Sequence, residues 1–310
     1  MEGRLYSVVF QHSTLFKQVL PNFGISNRSV VLSYKILGSG MNVPAEPPIF
    51  LFHGLLGSKK QWEGLGKIML NITKRAVIAV DLRNHGDSPH VNSHKYEDHA
   101  EDILHLFEKL GVQQASLIGH SMGGKAAMCL ALTAPRKITG VLVVDISPAT
   151  ISTQYRDEYL KILKAMNAVD FKKPRKVGHA KREAKKQLKL LIKDDYLLHS
   201  ILSNIRLKPD STIGWTINID TLIKHMKYII SFPEALKKKK YLGPTLFVGG
   251  QLSEFIPPDD LTEIRQFFPK AVITYIAKTS HNVHIDDPRS FLELAISFIT
   301  TNHFKRRMTP

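Results

Sequence analysis

The chain of 310 residues is long enough to bury a large core, as one α/β domain with an insertion or as two domains. Its composition, 43% hydrophobic and 23% charged, is typical of a soluble globular protein, and no apolar run of 18 residues predicts a transmembrane helix. The single cysteine, Cys129, excludes an internal disulfide and indicates a buried thiol in a reducing compartment.

The formal net charge of +16 is distributed unevenly along the chain. Residues 151–243 contain 21 Lys and Arg against 9 Asp and Glu, so that about +12 of the excess lies there. Such a segment can meet an anionic membrane surface or an acidic partner, or it can form a solvated lysine-rich helical face. No nucleic-acid recognition module accompanies the charge, so we predict no nucleic-acid partner.

Residues 1–24 are predicted to form a leader. They contain Arg4 and Lys17, only Glu2 as an acid, and several hydroxyl groups, a composition similar to a weak mitochondrial presequence. A loosely packed leader is the alternative. The sequence therefore predicts a mitochondrial location, with a cytoplasmic location as the alternative.

Short apolar runs alternate with helical patterns over the first half of the chain. This alternation predicts a right-handed, mostly parallel sheet whose reacting groups collect at the carboxyl edge of the strands. The predicted strands are 30–37, 49–52, 76–80, 115–118 and 141–144, and the predicted helices are 58–70, 96–110 and 125–134.

The segment His53 to Gly57 follows one of these buried strands. A glycine-containing loop at the carboxyl end of a strand can present backbone N–H groups to an oxyanion. We therefore assign one oxyanion-hole donor to the amide of Leu55. We also expect His53 to line the substrate pocket.

The polar loop at residues 81–89 contains acidic and imidazole side chains. We interpret Asp81 and Arg83 as bracing this loop through hydrogen bonds, because no second ligand pair lies at metal-site spacing. We predict neither a metal site nor a cofactor.

The segment Gly119-His-Ser-Met-Gly123 joins the apolar strand 115–118 to an Ala-rich helix. Two glycines leave the arms of a sharp turn free of Cβ atoms, so that a serine can be held in a strained, exposed conformation. This pattern matches the G-x-S-x-G elbow of α/β-hydrolases, with Ser121 as nucleophile. The amide of Met122, the residue after the nucleophile, is the second predicted oxyanion donor.

From residue 150 to 241 amphipathic helical patterns, such as 155–166 and 181–192, replace the strands. This predicts a helical cap inserted into the sheet domain, which coincides with the basic excess. Trp215 and Asn218 are predicted to line the pocket, with burial of Trp215 in the cap core as the alternative.

The strand pattern resumes at 245–248 and 271–276, and a loop with two histidines precedes a closing helix at 288–300. The general base of this fold is expected in the loop after the last strand. His281 and His284 both qualify by position, and we prefer His281.

Four motifs lie at residues 81–90, 119–125, 144–148 and 241–247. Taken together they resemble the family of alpha/beta hydrolase domain-containing protein eleven, a branch of the abhydrolase serine esterases and lipases that is related to small bacterial esterases. The resemblance spans roughly residues 28 to 300.

This resemblance implies an α/β-hydrolase fold, with a mostly parallel central sheet, helices on both faces and an inserted helical cap. The core is then expected at residues 25–149 and 242–310, and the cap at 150–241. The resemblance also implies a serine hydrolase acting on esters. For the eukaryotic branch it implies a mitochondrial lipase-like enzyme with diacylglycerol as a substrate class.

The sequence departs from the family pattern at two places. Ser280 stands where the loop after the last strand usually has a glycine before the histidine. Many α/β-hydrolases carry an Asp after the strand at 245–248, where this chain offers only Glu254. We rank Asp145, at the end of the preceding strand, first as the acid, Glu254 second, and Asp220 in the cap third.

The predicted reaction is acyl transfer, in which His281 takes the proton of Ser121 and water later releases the acid. The expected partner is an ester or lipid substrate, and an anionic membrane surface that meets the basic cap is a second candidate partner. The sequence does not identify protein partners. Two rivals stay open. The first is attack on a thioester or a carbon–carbon bond, because the fold does not set the substrate. The second is a non-catalytic protein that binds a ligand or stabilises a complex.

Overall fold

A computed structural model describes residues 29–38, 46–149, 152–172 and 176–307. The predicted leader at residues 1–24 lies outside these ranges. The strands are β1 (Tyr34–Leu37), β2 (Ile49–Phe52), β3 (Val77–Val80), β4 (Ala115–His120), β5 (Ile138–Val144), β6 (Ile205–Leu207), β7 (Ile213–Trp215), β8 (Thr245–Gly250) and β9 (Ala271–Ile276).

The helices lie between and after these strands. They are α1 (Glu63–Thr73), α2 (Tyr96–Lys109), α3 (Met122–Thr133), α4 (Thr153–Asn167), α5 (Val177–Leu188), α6 (Asp195–Ser203), α7 (Ile219–Ile230), α8 (Leu261–Phe267), α9 (Val283–Asp286) and α10 (Pro288–Arg307). None of the helices in the described ranges is long and apolar enough to cross a membrane.

The main sheet has seven strands in the order β1-β3-β2-β4-β5-β8-β9. Strand β1 pairs antiparallel with β3, and every other pairing in this sheet is parallel. The strands β2, β3, β4, β5 and β8 are buried along their whole length, since helices cover both faces of a parallel sheet. This architecture confirms the predicted α/β-hydrolase fold.

The insertion between β5 and β8 packs largely on itself. Its helices α4 to α7 enclose an apolar cluster that includes Met166, Ile201, Trp215 and Leu222, and Leu56 of the sheet domain reaches into it. The predicted helical cap also contains two strands, because β6 and β7 form an antiparallel hairpin. These strands have only three residues each, which is too short for an alternating pattern to be seen in the sequence.

Candidate active site

The turn from β4 into α3 holds Ser121 in a left-handed backbone conformation, with a φ of 52°. A Cβ atom at Gly119 would lie 2.2 Å from the carbonyl oxygen of Gly123. A Cβ atom at Gly123 would lie 2.6 Å from the carbonyl oxygens of Phe52 and His53. Only glycine fits at both positions, so the two glycines permit the close approach that presents Ser121 at the carboxyl edge of the sheet.

The imidazole of His281 lies against a buried carboxylate. Its Nδ1 lies 2.7 Å from Oδ2 of Asp145, which is fully buried, whereas the His281 side chain is 20% exposed. A carboxylate accepts, so Nδ1 carries the hydrogen and Nε2 is left available as a base. The structure thus places the preferred histidine beside the first-ranked acid.

Further donors fix the orientation of Asp145. The amide of Gly250 donates to Oδ1 at 2.9 Å, and the hydroxyl of Ser253 donates to Oδ2. The backbone of Asp145 is itself left-handed, with a φ of 50°, and its amide donates to the carbonyl of Val248 at 2.9 Å. The carboxylate therefore has a single orientation, set by the neighbouring strand β8.

Two rings hold the His281 imidazole in place. The ring of Phe255 stacks on it, with centroids 3.9 Å apart. The ring of His120, beside the nucleophile, lies 4.8 Å away, and its Nε2–H donates to the backbone carbonyl of His281 at 3.0 Å. Burial, together with the neighbouring His284 and His281, lowers the pKa of His120 well below its ordinary value, so this contact is made by a neutral ring.

Ser121 and His281 line one cavity of about 280 Å³ between the sheet domain and the insertion. A smaller apolar cavity of about 20 Å³ borders Ser121, Leu55 and Met122 on the other side, and Tyr159 lines both cavities. Within the described residues, neither the Leu55 amide nor the Met122 amide has a hydrogen-bond partner. Both predicted oxyanion donors are therefore available next to the nucleophile.

The two alternative acids form hydrogen bonds with residues other than His281. Glu254 lines the cavity but is exposed, and its carboxylate accepts from the hydroxyl of Tyr155 at 3.3 Å. Asp220 is exposed on α7 and accepts from Asn167 at 3.4 Å. Neither makes a hydrogen bond to His281 among the described residues.

The alternative base, His284, is buried outside the cavity. Its ring stacks on Trp62 at 4.6 Å and lies 5.9 Å from the ring of Phe291. Burial lowers its pKa to about 3, so it is a neutral packing residue near neutral pH. The structure therefore separates the two histidines that sequence position left equivalent.

The three predicted pocket residues are corrected, because each has a structural role away from the cavity. The Nε2 of His53 accepts from the Leu82 amide at 3.0 Å, while its Nδ1–H donates to the carbonyl of Gly54 at 2.8 Å. The indole of Trp215 is buried in the core of the insertion and donates to the Met166 carbonyl at 2.9 Å. The side chain of Asn218 donates to the Asn84 side chain at 3.1 Å and accepts from the Thr221 amide at 3.4 Å, capping α7.

The polar loop after β3 is braced by its charged groups, as its sequence suggests. Asp81 accepts from the amides of Lys59 and Asp87 and from the Lys59 ammonium. Arg83 forms a two-pronged ion pair with the buried Asp102, at 2.7 and 2.8 Å. Within the described residues, no group of three His, Cys, Asp or Glu side chains could hold a metal ion.

Several residues of the site were missed by sequence reasoning. Ser253 and Phe255 orient the acid and the imidazole, and Tyr155 and Tyr159 of α4 line the cavity. Ser253 and Phe255 follow β8 directly, and side chains after the carboxyl end of a parallel strand face the site, so their position was a usable signal. The two tyrosines carry no such signal, because they depend on how the insertion folds over the sheet.

The sequence model of a protein family, the alpha/beta hydrolase fold family, matches residues 47–288 of the chain. The chain is 39% identical over 274 residues to the sn-1-specific diacylglycerol lipase ABHD11 of Mus musculus, covering 88% of this chain and 86% of that protein. It is 37% identical over 252 residues to the protein of the same name from Danio rerio, covering 81% and 78%.

The structure is also similar to a solved esterase. The structure described as a marine microorganism esterase superposes with a TM-score of 0.76 at 29% identity, covering 87% of this chain and 100% of that one.

Proposed function

Because the chain belongs to the alpha/beta hydrolase fold family, we propose that it is a serine hydrolase that cleaves carboxylic esters of lipids, with diacylglycerol as a substrate class. The observation that carries the proposal is the convergence of Ser121, His281 and Asp145 at one cavity. Diacylglycerol is proposed as a substrate class because the similar proteins from mouse and zebrafish are named sn-1-specific diacylglycerol lipases.

In the acylation step, Nε2 of His281 takes the proton of Ser121 while the serine oxygen attacks the ester carbonyl. The amides of Leu55 and Met122 donate to the oxyanion of the tetrahedral intermediate. The imidazolium then gives its proton to the leaving alcohol as the acyl-enzyme forms. Asp145 holds the ring in its reactive tautomer and stabilises the positive charge of the imidazolium.

In the deacylation step, water replaces the alcohol. His281 takes a proton from water as the hydroxide adds to the acyl carbonyl, and the same two amides hold the second oxyanion. Collapse of this intermediate returns the proton to the oxygen of Ser121 and releases the carboxylic acid.

Replacing Ser121 with Ala tests the proposal directly. We expect Ser121→Ala to abolish hydrolysis of p-nitrophenyl acyl esters and labelling by a fluorophosphonate probe, because no other oxygen takes the position of the nucleophile. Ser116→Ala is the matched control, since Ser116 is a buried serine on the same strand that bonds to Thr139 and Arg75. Retention of both activities by Ser121→Ala would overturn the proposal.

We also propose that the basic insertion brings the protein to anionic membrane surfaces, where lipid esters are collected. Its helix α5 carries exposed lysines at Lys185 and Lys186, and the exposed Leu190 follows shortly after, with 80% of its surface accessible. Lysines beside an exposed apolar side chain are typical of interfacial binding. Sedimentation with vesicles of different lipid charge measures this binding.

A mitochondrial location is proposed from the composition of residues 1–24 and from the family resemblance. Import of the full-length chain into isolated mitochondria, with protection from external protease, is the expected result. A chain without residues 1–24 is the control. Equal protection of both chains would contradict a targeting role for this segment.

A further inference from the structure

The predicted oxyanion donor Leu55 lies in a tight turn that needs outside support. The amide of Gly57 donates to the carbonyl of Gly54 at 3.0 Å and closes the turn, with Leu55 and Leu56 at its centre. Leu56 has a φ of 64°, in the left-handed region that a leucine adopts only at an energetic cost. Interactions beyond the turn must therefore hold this conformation.

The direction of the Leu55 N–H is set by the carbonyl of Gly54, because both belong to one peptide unit. This carbonyl accepts two hydrogen bonds, from the Gly57 amide at 3.0 Å and from Nδ1 of His53 at 2.8 Å. A trans peptide is planar, with its N–H opposite its C=O. Fixing the carbonyl therefore aims the Leu55 N–H the other way, and Leu55 itself borders the cavities beside Ser121.

The sheet domain holds the Leu56 amide. Nε2 of His85 accepts from this N–H at 3.2 Å, and Nδ1 of His85 lies 3.1 Å from the carbonyl of Arg83. A carbonyl cannot donate, so the ring is the neutral tautomer with the hydrogen on Nδ1. Burial lowers the pKa of His85 to about 3, so the acceptor is present at all pH values well above that.

The insertion holds the other polar group of Leu56. The side chain of Asn204, at the end of α6, is buried and donates to the Leu56 carbonyl at 2.8 Å. Its second N–H donates to the carbonyl of Ser200 at 3.0 Å, and the hydroxyl of Thr216 lies 3.4 Å from its Oδ1. The carbonyls of Leu56 and Ser200 can only accept, so it is the NH₂ end of the amide that faces Leu56. The two polar groups of Leu56 are thus held from opposite sides, by His85 and by Asn204.

We propose that Asn204 is a positioning residue for the oxyanion hole, which couples the seating of the insertion to the direction of the Leu55 N–H. This inference rests on the proposed ester hydrolysis. Asn204 touches neither the nucleophile nor the imidazole, and it acts through the carbonyl of Leu56. When the insertion is seated, Asn204 and His85 together keep Leu56 left-handed and the oxyanion donor aimed at the site.

The test compares Asn204→Ala with Thr216→Val, in full-length protein counted by complete fluorophosphonate titration. Thr216→Val removes a hydroxyl that touches Asn204 but not Leu56. For Asn204→Ala we expect kcat on a p-nitrophenyl ester to fall about 10- to 100-fold, with KM within about threefold, since loss of a whole oxyanion donor costs about 100- to 1000-fold. Thr216→Val should keep kcat within about threefold of wild type.

A transition-state analogue gives a readout that a purely structural role would not move. An alkyl trifluoromethyl ketone forms an oxyanion on the nucleophile, so its affinity for Asn204→Ala should fall by the same factor as kcat/KM. His85→Leu removes the other support of Leu56 and should give the same pattern. The double variant should lose little more than the worse single variant, because both side chains hold one turn.

Three results would overturn the inference. They are a wild-type kcat in the single variants, a loss of kcat/KM that comes only from a higher KM, and a loss of kcat in Thr216→Val equal to that in Asn204→Ala. A failure of both Asn204→Ala and His85→Leu to fold would also overturn it, because this would assign these side chains to folding alone. A wild-type protein without turnover or analogue binding would overturn the proposed function as well. If the wild type is active and the variants hydrolyse the ester at the wild-type rate, only the role of Asn204 is overturned.

Discussion

The carboxylate of Asp145 accepts hydrogen bonds from three groups, and this convergence distinguishes it from the alternative acids Glu254 and Asp220. The imidazole of His281, the hydroxyl of Ser253 and the amide of Gly250 all donate to it. An amide side chain has one acceptor and one donor end, so it cannot satisfy three donors. In Asp145→Asn, the NH₂ group would face a donor or force the imidazole into the wrong tautomer.

We therefore expect Asp145→Asn to lower kcat for p-nitrophenyl esters by about 10³- to 10⁴-fold at neutral pH. Glu254→Gln is the comparison, because Glu254 ranks second as the acid and, among the described residues, its carboxylate accepts a hydrogen bond only from Tyr155. The kcat of Glu254→Gln should fall by less than about tenfold. Steady-state kinetics of both variants, normalised to folded protein, decides between the two acids. A larger loss in Glu254→Gln would exchange their roles.

Sequence position was enough to find Ser121 and the loop of the general base, since both belong to motifs with fixed places in the fold. It could not separate His281 from His284, which are three residues apart. The difference arises from packing, because the ring of His284 stacks on Trp62, whereas the ring of His281 forms a hydrogen bond with Asp145. Contacts between distant segments decide this, and a single sequence does not contain them.

At the scale of elements, one buried lysine joins the helix after the nucleophile to both ends of the insertion. The ammonium of Lys125 in α3 donates to the carbonyl of Ala149, where the insertion begins, at 2.9 Å. It also donates to the carbonyls of Ile230 and Ser231, at the carboxyl end of α7, at 3.0 and 3.3 Å. Burial lowers the pKa of Lys125 to about 7, although Glu263 and Asp260 at longer range oppose this shift.

This lowered pKa predicts a pH dependence of stability. Between about pH 7 and its ordinary pKa of 10.5, Lys125 is protonated in the unfolded chain but not in the folded chain. Because the unfolded state then binds more protons, the free energy of unfolding rises with pH in this window. Relative to Lys125→Met, wild type should gain about 1 kcal/mol per pH unit between about pH 7.5 and about pH 9.5. Urea denaturation at several pH values measures this difference.

The control is Lys109→Met, since Lys109 is an exposed lysine at the end of α2. Its free energy of unfolding should follow that of wild type at every pH. A constant difference between wild type and Lys125→Met across the same window would show that the ammonium is not deprotonated in the folded protein.

The central elements of the sheet were predictable because β2, β3, β4, β5 and β8 are short apolar runs buried on both faces, and such runs need no alternation to be seen. The insertion was less predictable. Its helices carry amphipathic patterns, but the hairpin of β6 and β7 is specified by packing of Ile205 and Trp215 against α4 to α7. For the same reason the sequence leaves Trp215 open between the pocket and the core of the insertion, and the structure places its indole in that core.

For the whole molecule, the basic side chains of the insertion lie outside the lining of the main cavity. The cavity is lined by three carboxylates and by no lysine or arginine among the described residues: Glu158, Asp194 and Glu254. The basic excess of the insertion therefore acts outside the cavity. It can attract an anionic surface without placing a cation next to Ser121.

This separation predicts that membrane binding and ester hydrolysis can be changed independently. The triple variant Lys185→Glu/Lys186→Glu/Lys189→Glu reverses three exposed charges on and after α5. Since each lysine near an anionic surface contributes about 1 kcal/mol, we expect its partition onto phosphatidylserine vesicles to fall at least about tenfold. Hydrolysis of a short, water-soluble ester should stay within about twofold of wild type.

The matched control is Lys67→Glu/Lys74→Glu/Lys109→Glu, which makes the same change of net charge at exposed positions of the sheet domain. If α5 is the contact surface, this control should retain most of its vesicle binding, because charges farther than about 10 Å from the lipid are screened at about 0.1 M salt. Rising salt should weaken the vesicle binding of the wild type and of the control alike, as measured by sedimentation. An equal loss in the two triple variants would mean that net charge, and not the face formed by α5, governs the attraction to the bilayer.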